Sequence, residues 1–97
     1  MIHQVSSINM MPGKDKEAEQ VMVKIAAIVN QKYPASNSHI VRNLDGKGNQ
    51  IHIIDTWEVA RDAVESDPTW QALIQEGAGL FDENSIERHF YQIVSES

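Results

Sequence analysis

A histidine and an aspartate on two neighbouring predicted strands could together form a general base. His39 lies in the segment SHIVRNL and Asp55 in QIHIIDTW, and the glycine-rich loop DGKGN joins the two segments. If the loop closes a hairpin that places Leu44 opposite Gln50, His39 lies opposite Asp55 on one face of the sheet. A carboxylate beside an imidazole fixes its tautomer and makes it a stronger base, so this pair predicts a catalytic dyad.

A structural ion pair between two strands is the simpler interpretation of the same residues. Side chains alternate between the two faces along a strand, so a hairpin shift of one residue would move His39 and Asp55 to opposite faces. The catalytic hypothesis therefore depends on the register of this hairpin.

Two tryptophans could wall a pocket for an aromatic molecule. Trp57 ends the predicted third strand, and Trp70 lies on the inward side of the helix that follows the Ser-Asp-Pro break. A tryptophan offers a large flat surface and one N–H donor, although ordinary core packing would also account for both residues. Because the small residues Ala60 and Ala63 follow Trp57, we expect Trp57 to border open space as well as core.

A polar set on the last predicted strand supplies further candidates. Arg88, His89 and Tyr91 lie close together there. Arg88 could bind a phenolate or a carboxylate, with Tyr91 as a second contact to the substrate, or Arg88 could pair with one of the many surface acids.

Metal, cofactor and nucleotide sites are not expected. The chain has no cysteine, and its four histidines (His3, His39, His52 and His89) fall on predicted strands without the i, i+4 spacing of a helical metal pair. The segments GAG and DGKG lack the spacing of a phosphate-binding loop.

The charge and hydropathy of the chain exclude several partners. Its 97 residues contain 14 acidic and 8 basic side chains, for a net charge of −6, whereas a nucleic-acid-binding protein needs clustered positive charge. The longest apolar stretch, VMVKIAAIV, is short and contains a lysine, so no membrane span is expected. The first residues lack the pattern of a signal peptide, and we expect a cytoplasmic protein.

The periodicity of apolar residues predicts six segments in the order β-α-β-β-α-β. The predicted strands are 2–11, 38–44, 50–57 and 85–94, the first helix is 14–33, and the second is divided into 58–65 and 68–76. Asp67 and Pro68 have the types preferred at a helix N-cap and first helical position.

This order predicts one α+β domain over residues 1–97, with a ferredoxin-like four-stranded antiparallel sheet and both helices on one face. Ile53 and Ile54 lie on opposite sides of the third strand, as Ile40 and Val41 do on the second. Apolar residues on both faces predict that a second copy covers the face without helices, so we expect a homodimer.

The segments MPGKDKEAEQV, DTWEVARDA and ESDPTWQALIQEGAGLF, placed between these strands, resemble the antibiotic-biosynthesis-monooxygenase-like family of the dimeric α/β barrel superfamily. The resemblance covers nearly the whole chain. It implies a dimeric barrel, and its members include cofactor-free oxygenases of phenols and quinols, haem-degrading enzymes and proteins with no established activity.

The haem-degrading branch of this family does not fit the sequence. The resemblance would place its strand-one asparagine near Ser6, its helical tryptophan at Ala63 and its haem-ligating histidine at Leu73, and Asn9 would lie on the opposite face of the strand from Ser6. Haem degradation is therefore not expected.

Three functions stay open at this point. The first is a cofactor-independent monooxygenase-like protein that acts on a small aromatic or quinone-like molecule. The second is a non-catalytic ligand-binding or stress-associated barrel, and the third is a structural dimerisation module. A polar dyad inside an otherwise apolar, ligand-sized cavity favours the first function. A cavity without a titratable group favours the second, and a filled core favours the third.

Overall fold

The predicted order of elements is present in a computed structural model of the chain, which describes residues 2–33, 36–45, 49–57 and 61–95. The strands are β1 (Ile2–Met10), β2 (Asn37–Arg42), β3 (Gln50–Trp57) and β4 (Phe81–Gln92), and the helices are α1 (Asp15–Lys32), α2 (Arg61–Glu65) and α3 (Pro68–Glu76). All neighbouring strands are antiparallel, in the order β2-β3-β1-β4. The ferredoxin-like fold is confirmed. The predicted start of the second helical segment, near Glu58, lies outside the described residues.

The last strand begins earlier than the sequence predicts. Phe81 already pairs with Met10, and the pairing then shifts at an irregularity before it continues to Gln92. Within the irregularity the Ser85 hydroxyl accepts a hydrogen bond from the backbone N–H of Asn9 at 2.8 Å. The polar run Asp-Glu-Asn at this point has the composition of a turn, but it forms a bulge in an edge strand.

Helix α1 follows the Pro-Gly turn and covers one side of the sheet. Gly13 has a φ of 77°, a left-handed conformation that favours glycine and lets the chain reverse before the helix. Apolar residues recur at helical spacing, and those that are buried are Ala18, Val21, Ile25, Ala26 and Val29.

A charged contact fixes α1 over the edge of the sheet. The Arg42 guanidinium on β2 donates two hydrogen bonds to the Glu19 carboxylate on α1, at 2.8 and 2.7 Å. These bonds hold the pKa of Glu19 below its ordinary value.

The strand register assigns every strand residue to one of two faces, because residues paired across strands point to the same side. We call the side that carries α1 and α3 the helix face. Its side chains are Ile2, Gln4, Ser6, Ile8, Met10, Ser38, Ile40, Arg42, Ile51, Ile53, Asp55, Trp57, Phe81, Ile86, Arg88, Phe90 and Gln92. We call the opposite side the outer face.

The tightest packing lies at one end of the helix face. Met10, Ala18 and Ile51 are almost fully buried, and the side chains packed around them are Ile8, Met22, Ile40, Leu80 and Phe81. In contrast, α3 has no fully buried residue although its apolar side chains point towards the sheet. The space between α3 and the sheet is therefore only partly filled.

Asp67 joins the end of α1 to the start of α3. Its carboxylate accepts hydrogen bonds from the backbone N–H groups of Thr69 at 2.8 Å and Trp70 at 3.2 Å, so the predicted N-cap is confirmed. Lys32 forms an ion pair with it at 3.1 Å, and the Tyr33 hydroxyl donates to it at 3.1 Å. The bond from Trp70, followed by those from Lys32 and Tyr33, lowers the pKa of Asp67.

We expect Asp67 to make stability depend on pH in the acid range. A lowered folded-state pKa means that the carboxylate stabilises the fold fully above about pH 4 and loses this effect as the pH falls further. Asp67→Ala should lower the melting temperature at neutral pH by roughly 5 °C. The difference from wild type should shrink progressively in melts as the pH falls below about 4, towards the lowered folded-state pKa of Asp67.

Asp82→Asn is the matched control for this measurement, because Asp82 lies exposed on β4. It should leave the melting temperature nearly unchanged. A difference between wild type and Asp67→Ala that stays constant over this pH range would contradict the assigned role of the carboxylate.

Candidate functional site

A cavity of about 500 Å³ lies between the helix face and the helices α1 and α3. Its walls are mostly apolar, and they comprise Ile8, Val21, Met22, Ile25, Val29, Ile40, Ile53, Val64, Trp70, Leu73, Ile74, Phe81 and Ile86. This volume falls within the range of pockets that bind small molecules. The third predicted function, a structural module with a filled core, is therefore not favoured.

A polar group forms the floor of the cavity on the two central strands. Gln4 is only 2% exposed. Its side-chain oxygen accepts a hydrogen bond from the indole N–H of Trp57 at 3.1 Å, and its side-chain nitrogen donates to the Ser6 hydroxyl at 3.0 Å. The Ser6 hydroxyl accepts this bond and has its own proton available to donate. The orientation of the Gln4 amide is therefore fixed from both ends.

Asp55 places a carboxyl group in the same floor. It is 8% exposed, and it lies directly across from Gln4 on β1 and from Ser38 on β2. A carboxylate accepts hydrogen bonds and can take a proton from a hydroxyl group of a bound molecule. The cavity thus combines mostly apolar walls with a carboxyl group in its floor, and the charged residues Glu65, Glu83 and Arg88 also line it.

The two tryptophans both line the cavity, and both are only partly buried. The hydrogen bond from Trp57 to Gln4 joins the wall to the floor. The small residue Ala63 was expected to leave open space beside Trp57. This explanation is wrong, because Ala63 is exposed and does not line the cavity. Ala60 lies outside the described residues. The space instead arises from the separation between α3 and the sheet.

The predicted pairing of His39 with Asp55 is wrong. Asp55 lies opposite Ser38, and His39 lies opposite Ile54 on the outer face, where it is exposed. The hairpin register differs by one residue, because Asn43 rather than Leu44 lies across from Gln50.

The side chain of Asn43 accounts for this shift. It accepts a hydrogen bond from the backbone N–H of Asp45 at 2.7 Å and donates one to the side chain of Gln50 at 2.9 Å. A side chain that caps its own turn starts the loop at that residue. Leu44 therefore belongs to the loop, where it is 87% exposed.

The remaining predicted site residues divide between the two faces. Arg88 lies across from Ser6 and lines the cavity from the edge strand β4. Tyr91 lies across from His3 on the outer face and is exposed. The structure therefore brings Asp55, Trp57, Trp70 and Arg88 to one cavity and separates His39, His89 and Tyr91 from it.

Sequence reasoning missed Gln4, Ser6 and Ser38, which are all buried on the helix face. The signal for the first two was present. They occupy alternate positions of β1 in phase with Ile8 and Met10, so they share the face that carries the core. Polar residues in that phase indicate a buried polar site.

The positions compared with haem-degrading proteins are also located. Ser6 lies in the cavity floor, Leu73 lines the wall and Ala63 is exposed. Asn9 lies on the outer face, opposite in direction to Ser6, as the strand alternation predicted.

Among the described residues, no group of three or more histidine, aspartate or glutamate side chains could hold a metal ion. Within the same part of the chain, no helix is long and apolar enough to cross a membrane.

Solved structures with this fold cover almost the whole chain. A candidate antibiotic biosynthesis monooxygenase from Nitrosomonas europaea aligns with a TM-score of 0.83 at 10% identity, over 98% of this chain and 100% of its own. One from Chloroflexus aurantiacus J-10-fl aligns with a TM-score of 0.81 at 18% identity, over 99% and 95% of the two chains.

A third solved structure with this fold belongs to a protein of a different description. An uncharacterized NIPSNAP domain protein from Burkholderia xenovorans aligns with a TM-score of 0.76 at 16% identity, over 98% of this chain and 96% of its own. No protein-family model matches the chain, and no curated protein matches it. At these identities the likeness concerns the fold. The chain has the ferredoxin-like fold of the antibiotic-biosynthesis-monooxygenase-like proteins.

Proposed function

We propose that the cavity binds a small aromatic or quinone-like molecule and that the chain acts on it as a cofactor-independent monooxygenase. The observation that carries this proposal is the polar floor of Gln4, Ser6 and Asp55 beneath apolar walls that include two tryptophans. Such a combination orients a flat apolar molecule by one or two polar substituents.

The floor gives such a ligand a defined direction. A ring would lie against Trp57 and Trp70, with a hydroxyl group directed at Asp55 and Ser6. Arg88 at the edge strand could neutralise an anionic oxygen at the other end of the ligand. These contacts favour a phenol or hydroquinone over a purely apolar molecule, because its hydroxyl replaces the water that would otherwise solvate the floor.

Asp55 is the proposed general base. It takes the hydroxyl proton of the bound phenol, and the electron-rich phenolate then reacts with dioxygen at a ring carbon that carries hydrogen. One oxygen atom becomes the second carbonyl of a quinone, and the other leaves as water with the two hydrogens that the substrate has lost. Dioxygen is the only oxidant in this balance, and the carboxylate is regenerated when its proton leaves with the water.

A non-catalytic ligand-binding protein is the second candidate. It is favoured by the position of His39 on the outer face, since the cavity then lacks the imidazole that was expected to act as the general base with the support of Asp55. The same walls and floor would bind an aromatic molecule without turning it over.

Two further features belong to this proposal. We place the protein in the cytoplasm, which agrees with a sequence that contains no cysteine. We also propose a homodimer that buries the outer face. The apolar side chains Val5, Val41 and Ile54 on that face support it.

Tryptophan fluorescence tests ligand binding directly, because the chain has only two tryptophans and both line the cavity. Titration with a panel of phenols, quinones and flavonoids should show saturable quenching by at least one of them. N-acetyltryptophanamide, titrated in parallel, corrects for absorption of the exciting light by the ligand. Absence of saturable quenching across the panel would rule out both the oxygenase and the ligand-binding candidates.

A further inference from the structure

All four histidines of the chain lie on the outer face, one on each strand. The register places His3 on β1 beside Thr56, His39 on β2 beside Ile54, and His52 on β3 beside Val41. His89 on β4 lies beside Val5. Helices α1 and α3 lie on the opposite side of the sheet, where they enclose the cavity. None of these imidazoles therefore faces the proposed site.

The four histidines follow an approximate twofold symmetry within the face. A rotation about an axis normal to the sheet, between Val5 and Ile54, exchanges β1 with β3 and β2 with β4. With the observed register, this rotation places His3 on His52, His39 on His89, Val41 on Tyr91 and Ser7 on Thr56. Two equivalent diagonal pairs result, His3 with His89 and His52 with His39.

The composition of this face suits a second copy of itself. Its centre is apolar, and the flanking side chains Val41 and Tyr91 are 40% and 54% exposed. Although the chain has a net charge of −6, the only described acidic residues on this face are Asp82 and Glu87. A neutral imidazole has one donor and one acceptor nitrogen, so histidines can hydrogen-bond to their counterparts on an identical surface.

We infer that the outer face is an interface between two copies of this chain that opens when its histidines are protonated. The inference rests on the proposed homodimer and adds the group that controls it. Association removes the imidazoles from water and places those of one copy near those of the other. Both effects disfavour the charged form of histidine.

The pH range follows from the groups that face the interface. Among the described strand residues they are His3, His39, His52, His89, Asp82, Glu87 and Tyr91, and helices α1 and α3 lie on the opposite side of the sheet. A histidine that is harder to protonate in the dimer than in the monomer stabilises the dimer above about pH 6.5, and this contribution is lost below it.

The net charge of the chain has the opposite effect on association when the pH falls. The isoelectric point is about 5.0, so acidification towards that value removes net negative charge and reduces repulsion between copies. Without a histidine effect, association should therefore strengthen as the pH falls. Weakening over the same range identifies the histidines as the cause.

Sedimentation velocity at about pH 7.5 and about pH 5.5, at constant ionic strength, tests the inference. The dissociation constant should rise at least about tenfold on acidification, while circular dichroism shows a folded chain at both values. His39→Gln combined with His89→Gln removes two exposed edge-strand histidines. This variant should dimerise at the higher pH and show at least about a threefold smaller ratio between the two dissociation constants.

Glu87→Gln is the matched control on the same strand and face, and it should not reduce that ratio. A wild-type ratio below about tenfold, or an undiminished ratio in the double histidine variant, would overturn the inference while leaving the homodimer intact. A monomer at the higher pH would overturn both. Ligand binding in the cavity is measured separately by tryptophan fluorescence. A failure of the proposed ligand binding can therefore be distinguished from a failure of the pH effect or of the homodimer.

Discussion

Replacing Asp55 by Asn should lower the rate of oxygen consumption with a bound hydroquinone by roughly 100-fold or more, while ligand affinity changes only a few-fold. Asparagine has the shape of aspartate and can still hydrogen-bond within the floor, but it cannot take a proton from the substrate. An oxygen electrode measures the rate, and isothermal titration measures the affinity of the variant and of wild type.

Asp82→Asn is the control for this substitution. It makes the same chemical change on an exposed strand position away from the cavity and should leave both quantities unchanged. If Asp55→Asn retained the full rate, Asp55 would not be the base. If the wild type bound a hydroquinone but consumed no oxygen with it, the non-catalytic candidate would hold.

Replacing Trp57 by Phe should weaken ligand binding by roughly 30-fold, equivalent to about 2 kcal/mol. The smaller ring loses contact area, and the loss of the indole N–H removes the hydrogen bond of 3.1 Å that joins Trp57 to the buried oxygen of Gln4. This hydrogen bond connects the wall of the cavity to the floor that orients the ligand. The fold should remain, at a cost of about 1–2 kcal/mol in the free energy of unfolding.

Trp70→Phe separates these two effects. It removes the same ring area from the cavity wall, whereas the described hydrogen bond to the Gln4 oxygen comes from Trp57. Isothermal titration should therefore show a loss of no more than about threefold for Trp70→Phe. Equal losses in the two variants would mean that Trp57 contributes only packing.

The element order was predictable because several local signals agreed. The helical spacing in α1, the cap at Asp67 and the Pro-Gly turn each specify one structure through the physics of a few neighbouring residues. The extension of β4 back to Phe81 was not predictable, because a bulge lets a polar run with turn composition continue a strand.

The residues that line the cavity could be predicted only in part, because the face to which a strand residue points depends on how its strand pairs with the next one. Trp57, Trp70 and Arg88 were chosen by residue type and Asp55 as the assumed partner of His39, and all four line the cavity. His39 was placed there by an assumed register. In the observed register His39 points to the other face, and the side chain of Asn43 holds the start of the loop through hydrogen bonds with Asp45 and Gln50.

The neighbouring residues Ile53 and Ile54 allow the most direct test of the central claim, that the space beneath α3 binds an aromatic molecule. Ile53 lines the cavity, and Ile54 points to the outer face. Methyl NMR spectra should be recorded while a ligand identified by fluorescence quenching is added. The methyl signals of Ile53, Ile40 and Leu73 should shift saturably, with those of Ile54 and Val41 unchanged. Saturable shifts confined to Ile54 and Val41, or no shift at any of these methyl groups, would contradict a binding site in the cavity.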